Sequence, residues 1–149
     1  MNSALRTHQW FRTENLARLL IALVFISNLY AALGFYFSPQ AFTAAYELVG
    51  APGEAALAGF GLLFAMWQVP YLVALINPLQ HKVSLLEAFA MQSLGVIGET
   101  FILLRIPAIH TILRSGIARF VIFDLAGLVL LAVSLLIVNW IIPENESKI

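Results

Sequence analysis

Cysteine is absent from the 149 residues. That excludes disulfide exchange, iron–sulfur clusters and thiolate zinc sites, and it leaves no mark of the redox compartment. Lysine occurs only at positions 82 and 148, outside every long apolar stretch, so an intramembrane retinal Schiff base has no point of attachment. His8, His81 and His110 also lie outside those stretches, which leaves an intramembrane bis-histidine haem without ligands. No G-x-G-x-x-G, P-loop or H-E-x-x-H pattern occurs. The expectation is therefore no metal and no cofactor. Charge is scarce as well: eight basic and eight acidic residues cancel, and no basic cluster of the kind that reads a phosphate backbone is present. Nucleic acid is not an expected partner.

What the chain has instead is hydrocarbon. It is 61% hydrophobic and 11% charged, with a mean hydropathy of +0.90, against ~45–50% and ~25% in soluble domains. Apolar stretches long enough to span a bilayer run over about 19–37, 55–76, 85–104 and 117–142. The predicted fold is all-α: one integral membrane domain over 1–149, an antiparallel four-helix transmembrane bundle with a short interfacial helix after the first span. Arg6, Arg12 and Arg18 precede an apolar run longer than the ~7–15 residues of a signal-peptide core, so the first span is expected to be retained. Lys and Arg bias short loops to the cytoplasm. Arg6, Arg12, Arg18, Lys82 and Lys148 share one side, and the loop from Ser38 to Gly53 has none. A multi-pass protein of the cell membrane with both termini cytoplasmic is expected. Arg105 and Arg114 dissent from that pattern and are expected to have acidic partners.

Turn chemistry divides the spans. Ser38 before Pro39 has the form of a helix N-cap, and Gly50 suits a stop. Between them Phe42, Ala45, Tyr46 and Val49 repeat at helical spacing, as in a helix lying in the headgroup layer. A membrane-hugging connector is the simpler reading, and a lid over a cavity the alternative. Asn77 and Pro78 end span two, and Pro107 ends span three. Ser84 and Glu87 form an S-x-x-E capping box, which accounts for Glu87 without catalysis.

A charge inside a membrane helix costs roughly 2.5–3.5 kcal/mol and normally faces a partner in the bundle. Three such residues occur: Glu99, Arg119 and Asp124. Gln92, Gly95 and Glu99 share one face of span three, a polar seam lined by glycine, suited either to close helix packing or to a ligand. Arg119 and Asp124 lie about 140° apart around span four and are poor partners for each other. The expected structural ion pair is Glu99 with Arg119. Asp124 is left deeper, with Asn28, Gln68 and Gln92 as its expected neighbours. It is expected either to be protonated and donate a hydrogen bond, or to stay ionised and bind a cationic group. Pro70 predicts a kink in span two beside Gln68, since it removes a hydrogen bond to Met66. Trp67 and Tyr71 would line the resulting pocket.

The run Leu16-Ala17-Arg18-Leu19-Leu20, its continuation from Phe25 to Gly34 and the four-span length resemble the DoxX-like group of small bacterial membrane proteins. That resemblance implies quinone-dependent or thiol-related oxidation, usually within larger assemblies, and carries over no functional residue. Three functions are expected from the residues themselves. The first is binding of a small amphiphile (a quinone, isoprenoid or sterol-like lipid) by Asp124, Gln68, Gln92, Asn28, Glu99, Trp67 and Tyr71. The second is an accessory subunit of a membrane complex or homo-oligomer. The third is a lipid-modifying enzyme using Asp124 as its acid.

Overall fold

The computed structural model describes residues 3–146 of the chain, with side chains over 13–141. Lys148 lies outside the described residues, and the side chains of Arg6 and Arg12 outside the described side chains. The helices are α1 (Ser3–Phe37), α2 (Gly50–Met66), α3 (Gln68–Ile76), α4 (Lys82–Arg105) and α5 (Thr111–Glu146). Because α2 and α3 are two halves of one span, there are four candidate membrane spans, Thr13–Phe37, Gly50–Ile76, Lys82–Arg105 and Thr111–Ile141. These run from 24 to 31 residues, more than the ~20 needed to cross the hydrocarbon layer. The chain is an integral membrane four-helix bundle. In lipid each backbone donor must find its acceptor within its own segment, which is why such sequences form long helices. Large apolar side chains cover the outside too, including Ile26, Leu94, Ile122 and Leu136, each more than 60% exposed. That is the surface a lipid solvent permits.

The buried core lies toward the end of the bundle where α1 begins and α5 ends. Ala17, Ile21 and Val24 of α1 meet Tyr71 and Ala74 of α3, Leu85 and Ala88 of α4, and Leu131, Leu135 and Val138 of α5. The opposite end, where α1 hands over to α2, is built differently. Here α2 packs along α1, and no Cα of α2 comes within 8 Å of one in α4 or α5. Gly61 permits the close approach to α1: a Cβ there would sit 2.6 Å from the Tyr36 nitrogen and 2.7 Å from the Ala32 oxygen. The divergence starts at Trp67, where span two breaks three residues before Pro70. The span is interrupted near the predicted kink: its second half, α3, packs on α4 while its first half, α2, does not.

Two local expectations are corrected. The loop after α1 holds no regular helix but two 3-10 turns, Pro39–Ala41 and Thr43–Tyr46, ended by Glu47 in the left-handed region at φ 53°. Instead of lying flat on one apolar face, the connector turns Phe42 and Tyr46 inward onto Phe35, with ring centroids 4.8 and 5.9 Å away. The Ser84–Glu87 capping box does not form. A turn closed from His81 N–H to the Asn77 carbonyl (2.9 Å) carries the chain into α4 at Lys82, so Ser84 already lies inside the helix.

Candidate functional site

Each of the four spans contributes one polar side chain to a single buried cluster at mid-bundle. Gln92 of α4 is its centre. Its Oε1 accepts from the Tyr71 hydroxyl of α3 (2.6 Å) and from Asn28 Nδ2 of α1 (3.2 Å). Its Nε2 donates to Asp124 of α5 twice, at Oδ1 (3.0 Å) and at the backbone carbonyl (3.2 Å). An amide offers two protons and two lone pairs, so Gln92 is fully satisfied and its orientation is determined. Asn28, Gln92 and Asp124 are 1%, 3% and 7% exposed. Gly127 makes room for the amide, since a Cβ there would lie 2.8 Å from Gln92 Nε2.

Asp124 has a second side. With Oδ1 held by Gln92, its Oδ2 rests against Gly95, where a Cβ would collide with it. Both residues line a cavity of about 470 Å³ in the gap left by α2. One wall is Leu57, Phe60, Leu63, Phe64 and Trp67 of span two; facing them are Gly95, Glu99 and Ile102 of α4 and Ile117, Phe120 and Asp124 of α5. Phe60, Leu63, Trp67 and Ile102 are also exposed on the outer surface, so the cavity opens sideways toward lipid. Phe35 stacks on Phe120 (5.5 Å between centroids), and Tyr46 leans on both rings, closing the cavity beneath the connecting turns. The connector thus contributes to the cavity's cover.

Glu99 stands one helical turn from Gly95, toward the connector. Its Oε2 is shielded from solvent and has no hydrogen-bond partner among the described residues. The expected Glu99–Arg119 ion pair is not formed within 4 Å among those residues. Arg119 is exposed and its Nε reaches back to the Ser115 carbonyl, 3.3 Å away and one turn nearer the helix start. A long cationic side chain near a membrane helix end moves its charge toward the interface. Tyr46 feels both groups. Burial, and then the Glu99 carboxylate, push its phenol above the ordinary range while Arg119 acts oppositely, so Tyr46 keeps its proton. Arg114 also lacks the acidic partner expected of it among the described residues. Its Nη1 caps the end of α4 at the carbonyls of Leu103 (2.9 Å) and Ile106 (2.6 Å).

Asn28, Gln92 and Tyr71 support Asp124 from behind and are not part of the cavity wall, whereas Glu99, Trp67 and Asp124 are. Gln68 takes another role. Its Nε2 bonds the Phe64 carbonyl (3.1 Å) at the break in span two, and its buried Oε1 has no partner among the described residues. Sequence reasoning missed Glu47. This carboxylate joins the connector to the start of α5, taking His110 Nδ1 at 2.5 Å and the Leu113 N–H at 3.3 Å. Its position before Gly50 in an otherwise charge-free loop was the available signal. Comparison with protein-family models, curated proteins and solved structures finds no match, so the DoxX-like resemblance gains no support.

Proposed function

We propose that the protein binds a small membrane amphiphile, with its apolar body in the cavity and its polar head at Asp124 and Glu99. The observation that carries this reading is a lipid-facing cavity of about 470 Å³, within the ~300–1,000 Å³ of small-molecule sites, mostly apolar, with two carboxyl groups in its inner wall. The buried cluster of Asn28, Tyr71 and Gln92 serves to hold Asp124 in place. Both termini lie in the cytoplasm on this reading: Arg18 and Lys82 mark that side, and Arg114 counts little against it because it is engaged as a helix cap.

A second reading, assembly with another membrane chain, is favoured by one face of α2. Ala55, Ala56 and Gly59 are exposed at helical spacing, and nothing lies within 4 Å of a Cβ at Gly59. Small residues on a lipid-facing surface allow another helix to approach closely. Native mass spectrometry of protein extracted gently from its own membranes separates the two. An amphiphile that co-purifies in stoichiometric amount and is lost from Ile102→Trp, which fills the cavity mouth, supports the binding reading. Recovery of chain-to-chain complexes free of small molecule, unchanged by Ile102→Trp, refutes it in favour of assembly.

A further inference from the structure

We infer that the head group this cavity selects is a protonated amine, so that the ligand is a lipophilic ammonium. The inference rests on the amphiphile-binding reading and names the chemistry of the head. It starts from an imbalance of polar atoms. Among the lining residues Glu99 and Asp124 are acids, none is Lys, Arg or His, and only Tyr46 and Trp67 carry side-chain donors. Asp124 is more than nine-tenths buried, and its Oδ2, turned to Gly95 and the cavity, has no hydrogen-bond partner among the described residues. Glu99 Oε2 is shielded from solvent and also has no partner there.

The two acids sit about one helical turn apart, ~6 Å along α4, because Asp124 abuts Gly95 and Glu99 follows four residues later. Arg119, the cation that sequence spacing offered them, is turned out to the surface. A buried charge requires pairing, and an ammonium seated between the acids supplies donors to both Oδ2 and Oε2. The rest of the wall suits the same occupant. Phe35, Phe60, Phe64, Trp67 and Phe120 line it, and aromatic rings attract a desolvated cation that meets their faces. With both acids ionised, a quinone or other acceptor-headed lipid would set its oxygens against carboxylate oxygens, whereas an ammonium finds acceptors there.

The test uses the full chain in phosphatidylcholine nanodiscs, with tritiated dodecylamine as probe and empty nanodiscs as the partitioning control. Dodecanol and decylubiquinone serve as neutral competitors. Saturable dodecylamine binding is expected, displaced by unlabelled amine and not by either neutral compound. Glu99→Gln is near-isosteric and outside the Gln92 cluster; it should weaken the amine by about tenfold or more, as when one member of a desolvated charge pair is lost. Circular dichroism and size-exclusion monodispersity establish that the variant is folded. Asp124→Asn should act in the same direction. If dodecanol or decylubiquinone competes as well as the amine, and Glu99→Gln leaves amine binding unchanged, the ammonium assignment is overturned while the cavity remains a binding site. If no probe binds saturably, or Ile102→Trp leaves binding intact, the amphiphile-binding reading falls with it.

Discussion

Gln92 gives both of its amide protons to one residue, Asp124, at the side chain (3.0 Å) and at the backbone carbonyl (3.2 Å). The arrangement turns a carboxylate that could rotate freely into one with a held oxygen and a presented oxygen. It also joins two helices that share the cavity wall.

Replacing Gln92 by Leu should therefore cost more than one hydrogen bond. Tyr71, Asn28 and Asp124 all lose their partner at once, and interhelical bonds in membranes are worth ~0.6–1.7 kcal/mol each. A loss of about 1–3 kcal/mol is expected for Gln92→Leu and about 1 kcal/mol for Tyr71→Phe, read from unfolding in mixed detergent micelles. Equal losses would show that Tyr71 carries the cluster and Gln92 does not.

Two glycines on α4 should respond in opposite ways. At Gly98 nothing lies within 4 Å of an added Cβ, so Gly98→Ala should be neutral or gain up to ~1 kcal/mol from better helix propensity. At Gly95 the new methyl meets Asp124 Oδ2, which must swing away and break its bond to Gln92. A net loss of about 1–3 kcal/mol, with loss of ligand, is the expected outcome of Gly95→Ala. Equal behaviour of the pair would contradict the close packing at Asp124.

Restoring the missing donor should straighten span two. Pro70→Ala supplies an N–H for the Met66 carbonyl and removes a ring clash. Spin labels at Leu62 and Ile97, both exposed, should then report a shorter distance between α2 and α4, with weaker ligand binding. An unaltered distance would mean that packing on α1, through Gly61, suffices to hold α2 apart.

The Glu47 latch carries a pH dependence with a definite sign. The hydrogen bond from His110, with the Leu113 N–H adding to it, holds the Glu47 carboxyl below its ordinary value of 4.5. A depressed folded-state value means that the contribution is fully present above about pH 4.5 and is lost as pH falls through the lower, folded value. The protection factor of the Leu113 amide, taken relative to the intrinsic exchange rate at each pH, should fall below pH 4.5 in the wild type and should already be low at neutral pH in Glu47→Gln. Protection at Leu113 that is unchanged on acidification would assign the capping of α5 to another group.

The sequence made the four spans readable because lipid imposes one requirement, internal backbone satisfaction, and the apolar run lengths record it. Gln92 with Asp124 was legible too, since buried polar groups seek each other. Arg119 was misjudged because a pairing inferred from depth ignores the reach of a side chain that can take its charge to the interface. Tyr71 was expected to line the pocket and instead points behind it. Which side of a kinked helix faces a cavity depends on the direction of the kink, and residue spacing does not encode that. Glu47 was missed because its partners at 110 and 113 are brought near only by the folded connector.

The sideways opening between α2 and α4 decides what any ligand must displace. The competitor at that mouth is an acyl chain, not water, and an acyl chain is as apolar as the leucines and phenylalanines lining the wall. Greasiness alone therefore confers no preference for a ligand over the surrounding bilayer. On the proposed amphiphile-binding reading, discrimination falls to a few oxygen atoms at Asp124 and Glu99, and affinities measured in detergent, where the rival tails are loosely packed, should exceed those measured in a packed membrane.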